Sequence, residues 1–313
     1  VIMKGYAFCP NCFQTGTYNG YICKACGYIQ EQKDKYALPP GTRLKERYLL
    51  GRVLGVGGFG ITYLAFDPAS GRMCALKEYF PRAWAVRDSA TNSLMPTTEG
   101  QQEVYRHGRD VFINEAKILQ GLYANPHVVN VLDFFYDNKT AYMVMEYIQG
   151  QTINDYMKKK KHTVSIRMAN QMLREIGEAL EQIHQNMLLH RDISPDNIMI
   201  TPNGQFKLID FGATRTYALS NPLSMSIFVK PGFAPIEQYS RTGHQGPWTD
   251  IYALCATYYY MVTGEKPPSA PDRQNGIRLT PLAYKNSNVS ASPSRAVERG
   301  MRKNYRERQK TVS

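Results

Sequence analysis

Two short runs carry side chains on which chemistry could rest. One is His190-Arg191-Asp192-Ile193-Ser194-Pro195-Asp196-Asn197; the other is Ile209-Asp210-Phe211-Gly212. The first packs a candidate base (Asp192), a candidate metal ligand (Asn197) and a cation (Arg191) into one polar loop. Apolar runs flank it at 187–189 and 198–200. Polar loops held between buried segments are where catalytic groups tend to sit. The order and spacing of the two runs suit phosphoryl transfer, in which side-chain oxygens hold a divalent cation and a carboxylate receives a hydroxyl proton. A third constellation, Cys9-x-x-Cys12 and Cys23-x-x-Cys26, has ten residues between its pairs. Four thiolates so spaced can surround one Zn²⁺ tetrahedrally. Two disulfides are the alternative. The absence of a visible secretory leader before Cys9 favours the reduced, metal-bound form. A redox CxxC lacks the βαβ context it needs.

The bulk numbers set the frame for these groups. A chain of 313 residues with 43% hydrophobic content suits one large two-lobed domain, or two domains, with a small appendage. Residues 1–34 are too few for a core of their own, so metal binding is expected to supply most of their folding free energy. Residues 35–46, polar with Pro39-Pro40-Gly41 in the middle, read as a linker or ordered lead-in, and 47–313 as the main domain. The longest apolar stretch, 251–262, is broken by tyrosines and reads as a buried helix rather than a membrane span. Cys74 and Cys255 lie in apolar runs and are expected in the core. The net charge is +12, with basic clusters at 158–162 and 302–310. Solvated helix ends and a loop explain them first. Acidic substrates, nucleic acid and an anionic surface are sharper readings that charge alone does not separate.

The elements that must position these groups can be read in order. Gly55-Val56-Gly57-Gly58-Phe59-Gly60 lies between two β-prone runs, 48–54 and 61–66. A dinucleotide fingerprint needs a helix after its glycines; here a strand follows, so the glycines belong to a hairpin that can fold over phosphates. Lys77 ends a third apolar strand, where an ammonium is costly unless paired. Its partner is expected to be Glu115, on a helix over 111–122 whose apolar face is Val111, Phe112, Ala116, Leu119 and Leu122. Glu103 is the rival, but no comparable apolar run follows it. The stretch 82–110 reads as an insertion, structural padding by default. Two more strands, 128–135 and 141–147, meet at a turn over 137–139. Helices are expected over 153–160, 164–186 and 251–262.

With these motifs together, residues 47 to about 310 resemble a eukaryotic-like protein kinase, nearest in style to bacterial serine/threonine kinases. The N-terminal unit resembles a zinc ribbon. The resemblance implies an α+β bilobal fold, with a five-stranded antiparallel N-lobe and a mainly helical C-lobe trimmed in its later helices. It implies ATP-dependent phosphorylation of serine and threonine hydroxyls on proteins, with Mg²⁺ or Mn²⁺, and autophosphorylation. Lys77, held by Glu115, would grip the α/β-phosphates; Asn197 and Asp210 would hold Mg²⁺; Asp192 would take the substrate proton; amides of Gly57 to Gly60 would close over the phosphates. Met145 would be the gatekeeper, the Glu146 carbonyl and Ile148 amide would bind adenine, and Gly55, Ala75 and Met199 are also assigned to the nucleotide. Glu237, in Phe233-Ala234-Pro235-Ile236-Glu237, would pair with Arg308. Asp250 would brace the catalytic-loop backbone, cap a helix, or both. Arg191 suggests a phosphate on the segment carrying Thr214, Thr216, Ser220, Ser224 and Ser226.

Two departures stand out. Ser194 occupies the place of the family's catalytic-loop lysine, and Lys230 that of the threonine before Pro231-Gly232. They are expected to be one exchange, with Lys230 reaching back to Asp192 and the γ-phosphate and Ser194 bonding it. Two unrelated drifts in a weak or dead kinase are the alternative, which makes a nucleotide-binding pseudokinase scaffold the rival function. A third reading is an adaptor whose zinc ribbon recruits a protein; nucleic acid is not expected, since few aromatics are interleaved with basic residues there. The expected location is the cytoplasm, or the cytoplasmic part of a longer protein.

Overall fold

The structure is a computed structural model that describes residues 7–30, 34–121, 125–160, 164–211, 215–216, 229–240 and 242–312. Leu122, His162, Gly212, Thr214, Ser220, Ser224 and Ser226, and the side chain of Thr216, lie outside the described residues. The chain divides into two compact units, 1–121 with 130–147, and 122–129 with 148–313.

The first unit is built on an antiparallel sheet. Its strands are β1 (Arg43–Leu44), β2 (Tyr48–Val56), β3 (Gly60–Asp67), β4 (Arg72–Tyr79), β7 (Val131–Asp137) and β8 (Thr140–Glu146), in the order β1-β2-β3-β4-β8-β7. The five expected strands are all present, and β1 adds a short edge from the segment read as a lead-in. The strand expected from residue 128 starts at Val131; Val128 instead forms a parallel bridge with Leu208 in the second unit. At the β7–β8 turn, Asn138 and Lys139 take φ of 47° and 58°, which the tight hairpin requires. Helix α1 (Gln102–Gly121) begins nine residues before the expected Val111 and buries Tyr105, Phe112, Ile113, Glu115, Ala116 and Leu119. The apolar period seen in the sequence is its core face; the polar first turns left no such trace.

Residues 82–110 are not loose filler. They form the hairpin β5 (Ala85–Arg87) and β6 (Leu94–Pro96) before running into α1. Arg87 is buried and donates to Glu78 Oε2 at 2.5 Å, while Tyr63 and Tyr142 hydroxyls donate to the same carboxylate at 2.9 and 2.7 Å. A fully buried carboxylate is tolerated only when paired and bonded in this way.

The second unit contains β9 (Gln151–Thr152), α2 (Ile153–Lys159), α3 (Ile166–Gln185), β10 (Leu188–Leu189), β11 (Ile198–Ile200), β12 (Phe206–Leu208) and β13 (Arg215–Thr216). After them come α4 (Pro247–Thr263) and the shorter α5 (Ala270–Gln274), α6 (Leu282–Lys285) and α7 (Ala291–Gly300). Ser165 caps α3 by accepting from the Met168 amide, and its buried stripe runs from Ala169 through Met172, Ile176 and Leu180 to Ile183. Helix α4 is apolar on all sides and buried along 249–262, as a central helix must be. Pro247 opens it and Gly264, at φ 73°, ends it. Gly246 is its N-cap, which corrects the capping role considered for Asp250, a residue inside the first turns. Cys74 and Cys255 are both buried. Among the described residues no helix is long and apolar enough to cross a membrane.

Candidate active site and cysteine cluster

The polar loop 190–197 hangs between β10 and β11. Asp250 holds it from below. This carboxylate is fully buried and accepts from the amides of His190 (2.9 Å) and Arg191 (2.8 Å) and from His184 Nε2 (2.9 Å). Burial pushes its pKa up, but the His184 bond and charge, then the His190 charge and Arg191 amide, outweigh that and hold it below the ordinary value. Arg191 sits at φ 67°, a left-handed conformation costly for a non-glycine residue. The Asp250 acceptors and a bond from Gln238 Nε2 to the Arg191 carbonyl (2.7 Å) fix it there. Strain of this kind collects at functional sites.

Within the loop, Asn197 Nδ2 donates to both the backbone carbonyl and the carboxylate of Asp192, each at 2.7 Å. That leaves the Asn197 Oδ1 oxygen as the side-chain atom able to face a cation. The Ile209 amide donates to the Asn197 carbonyl at 2.9 Å, so the residue preceding Asp210 is tied to the loop. Asp210 itself takes φ 59°. Phe211 is buried against the His190 ring, with centroids 4.7 Å apart. Lys230 Nζ donates to Ser194 Oγ at 2.9 Å and pairs with the Asp196 carboxylate. Burial raises the Asp196 pKa, but the Lys230 bond and charge and the Asn154 amide (2.6 Å) overcome it, leaving the carboxyl below its usual range. Arg308 grips Glu237 at 2.6 and 3.1 Å, both side chains buried. Met199 lies on β11 opposite Thr152 and Lys207.

In the first unit, Lys77 sits on β4 between Thr62 of β3 and Met143 of β8, and Glu115 lies on the core face of α1; both are buried. Ala75 pairs with Met145 across β4 and β8. The Glu146 amide and carboxylate both bond the Asn130 backbone, at 2.9 and 2.8 Å. Ile148 opens the longer segment of the second unit. The glycine-rich turn closes with a bond from the Gly57 amide to the Gly60 carbonyl at 2.8 Å. A Cβ on Gly60 would lie 2.5 Å from the Glu78 carbonyl and 3.6 Å from Lys77 Cε, so only glycine lets β3 cross here. Gly55 and Gly57 face open space, with nothing but the Gly60 carbonyl near the latter. No side chain at these two positions would stand between the turn and a phosphate.

The four cysteines converge, with all four Sγ atoms within 4.8 Å of one another. Cys9–Cys26 and Cys12–Cys23 sulfurs lie 3.7 and 3.8 Å apart. Four Zn–S bonds of about 2.3 Å in a tetrahedron require sulfurs about 3.8 Å apart, so the cluster fits the ion. A bond from Thr17 lowers the Cys23 thiol to about 6, whereas burial lifts Cys9 to about 12. The knuckle rests on β2: the Arg52 amide donates to the Pro10 carbonyl (2.8 Å), and Arg52 Nε to Asn11 Oδ1 (2.6 Å). Phe13 stacks between Phe8 and Phe66, each at 5.6 Å.

Sequence reasoning missed His184, Asp196, Gln238 and Arg87. Asp196 could have been noticed as a carboxylate two residues from Ser194, as near in the chain as Asp192; the others become partners only through folding.

A family model described as "Protein kinase domain" matches residues 48–295. Serine/threonine-protein kinase B of Synechocystis sp. is 32% identical over 276 residues, covering 83% of this chain and 43% of that protein. Serine/threonine-protein kinase PknA of Mycobacterium tuberculosis is 30% identical over 238 residues, covering 72% of this chain and 49% of that protein. The chain thus spans less than half the length of these curated relatives. The solved structure of PpkA-294 in its apo form superposes with a TM-score of 0.75 at 32% identity, covering 88% of this chain and 97% of that one.

Proposed function

The chain belongs to the protein kinase family, and from that premise we propose that it transfers the γ-phosphoryl group of ATP to serine and threonine hydroxyls of proteins, itself included. The carrying observation is the bonded pair Asp192–Asn197 in a loop whose backbone Asp250 braces. It supports Asp192 as the base: the Asn197 amide fixes the carboxylate, which can then orient a substrate hydroxyl and take its proton. Asn197 Oδ1 and Asp210 are the candidate ligands of Mg²⁺ or Mn²⁺. When bound, such an ion neutralises charge on the phosphates being separated. Lys77, with Glu115, would hold the α/β-phosphates. Amides of Gly57, Gly58, Phe59 and Gly60 would cover them, and Gly55 would give the turn room. The Glu146 carbonyl and Ile148 amide would receive adenine, with Met145 as gatekeeper, and Ala75 and Met199 are also assigned to the nucleotide.

Lys230 and Ser194 fit this reading as an exchange. The cation that the family pattern has within the loop would come here from the segment before Pro231, and the bond from Lys230 to the Ser194 hydroxyl supports this. The compact ammonium on a flexible stem suits delivery from another side. The cysteine cluster fits structural Zn²⁺, which would hold the first knuckle in the form that seats on β2.

Incubation of the chain with Mg-ATP, with phosphosites mapped by mass spectrometry, should show phosphoserine and phosphothreonine. Asp192→Ala should abolish the signal. Equal labelling of both proteins, or none in the wild type, would defeat the proposal in favour of contamination or a nucleotide-binding scaffold.

A further inference from the structure

The tip of the glycine-rich hairpin has a holder that is not one of its own strands. The Arg82 amide donates to the Gly58 carbonyl at 3.2 Å, and the Phe80 amide to the Phe59 carbonyl at 2.8 Å. The Phe59 ring meets Trp84 edge-to-face, with centroids 5.9 Å apart and planes at 67°. Trp84 is itself anchored: its amide donates to the Pro81 carbonyl (3.1 Å), and its carbonyl accepts from the Thr97 amide (2.9 Å). Behind it stands Arg87, locked onto Glu78, the residue after Lys77.

The lead-in completes the brace. The Tyr36 carbonyl accepts from Arg87 Nε at 2.7 Å. The Tyr36 ring packs edge-on to Phe80 at 6.0 Å and beneath the Arg82 guanidinium at 5.1 Å, while Asp34 pairs with Arg82 at 3.3 Å. The exposed Asp34–Arg82 pair is worth little alone. The aromatic and backbone contacts carry the arrangement.

We propose that the insertion is a positioning device for nucleotide: Trp84 on the Phe59 ring, together with Phe80 and Arg82 on which Tyr36 of the lead-in packs, holds the glycine-rich tip in the form that covers the phosphates. Glycine-rich turns are free in many conformations, and each one adopted outside the binding form lowers apparent affinity in proportion. Trp84 is half-buried and meets the turn through the Phe59 ring, which makes it a positioning residue. This rests on the reading of the glycine-rich turn as the phosphate cover.

The test is calorimetric titration of the full chain with the magnesium complex of a non-hydrolysable ATP analogue. Trp84→Ala should raise Kd by roughly 3- to 10-fold, the range an edge-to-face aromatic pair supplies. Trp84→Phe, which keeps a ring, should restore most of the affinity. Tyr36→Ala should weaken binding by a smaller factor. In turnover, KM for ATP should rise with Kd in Trp84→Ala while kcat changes less than about twofold. Hydrogen exchange of the 57–59 amides should quicken in the same variant. Should Trp84→Ala fold poorly, Trp84→Leu keeps the bulk without the ring and is expected to weaken binding likewise. A wild type that binds and a folded ring-less variant that binds equally well would overturn the proposal. A wild type that binds no nucleotide would overturn the kinase reading beneath it, and this inference with it.

Discussion

Ser194 and Lys230 make the sharpest residue-level question. Each looks like a defect when compared with the family pattern. Together they form a hydrogen bond of 2.9 Å that joins two segments 36 residues apart. If Lys230 supplies the missing cation, Lys230→Met should cut kcat by about 100- to 1,000-fold, the order that losing one preorganised stabilising group costs. The Ser194→Lys/Lys230→Thr double variant should recover activity over either single change; equal rates for Lys230→Met and wild type would sink the exchange. Asp196 adds a pH expectation. Its carboxyl is held below the ordinary value, so its contribution is complete above the unfolded aspartate pKa of about 3.9 and is lost as pH falls through the lower folded value. The difference in urea midpoint between wild type and Asp196→Asn should therefore hold steady from about pH 5 to 8 and shrink below about pH 4. A difference that instead changes near neutrality would assign the titration to another group. The pairing of Asp192 with Asn197 was legible from the chain because the two lie in one short loop. Asp250 was legible as a brace only through resemblance, because it acts from 60 residues away.

At the scale of elements, the seating of the cysteine knuckle on β2 decides much. A Cβ on Gly51 would lie 2.2 Å from the Pro10 carbonyl and 2.7 Å from the Phe13 ring. Backbone cannot step aside as a flexible side chain can, so Gly51→Ala should unseat the knuckle. Faster proteolysis within 7–30 and quicker surrender of metal to a chelator would report it; an unchanged cleavage pattern would refute it. Wild-type protein should carry one zinc per chain, and its removal should lower Tm because metal binding and folding of so small a unit are one process. Helix and strand identities were readable wherever an apolar period existed, as in α1 from Val111 onward and in α3. The polar turns of α1 from Gln102 and the two-residue strand β1 have no period to read. The insertion looked like padding because the contacts of Trp84 and Arg87 are made with distant strands.

For the whole molecule, the net charge of +12 is a property of every encounter with a partner. Long-range attraction should favour acidic protein substrates at low ionic strength. The screening length is about 10 Å at 0.1 M salt and about 3 Å at 1 M, so the preference for acidic over basic peptides in kcat/KM should shrink steeply across that range. A preference independent of salt would move specificity from the overall field to local contacts.

The chain by itself determined the two-lobed kinase architecture, the polar loop that carries Asp192 and Asn197, and the four-cysteine cluster. Each is written in residue types at short, fixed spacing, which local geometry converts directly into proximity. Only the tertiary structure decided that Lys230 meets Ser194 and Asp196, that Arg87 neutralises Glu78, and that Trp84 holds Phe59. Those contacts join segments whose separation along the chain says nothing about their separation in space.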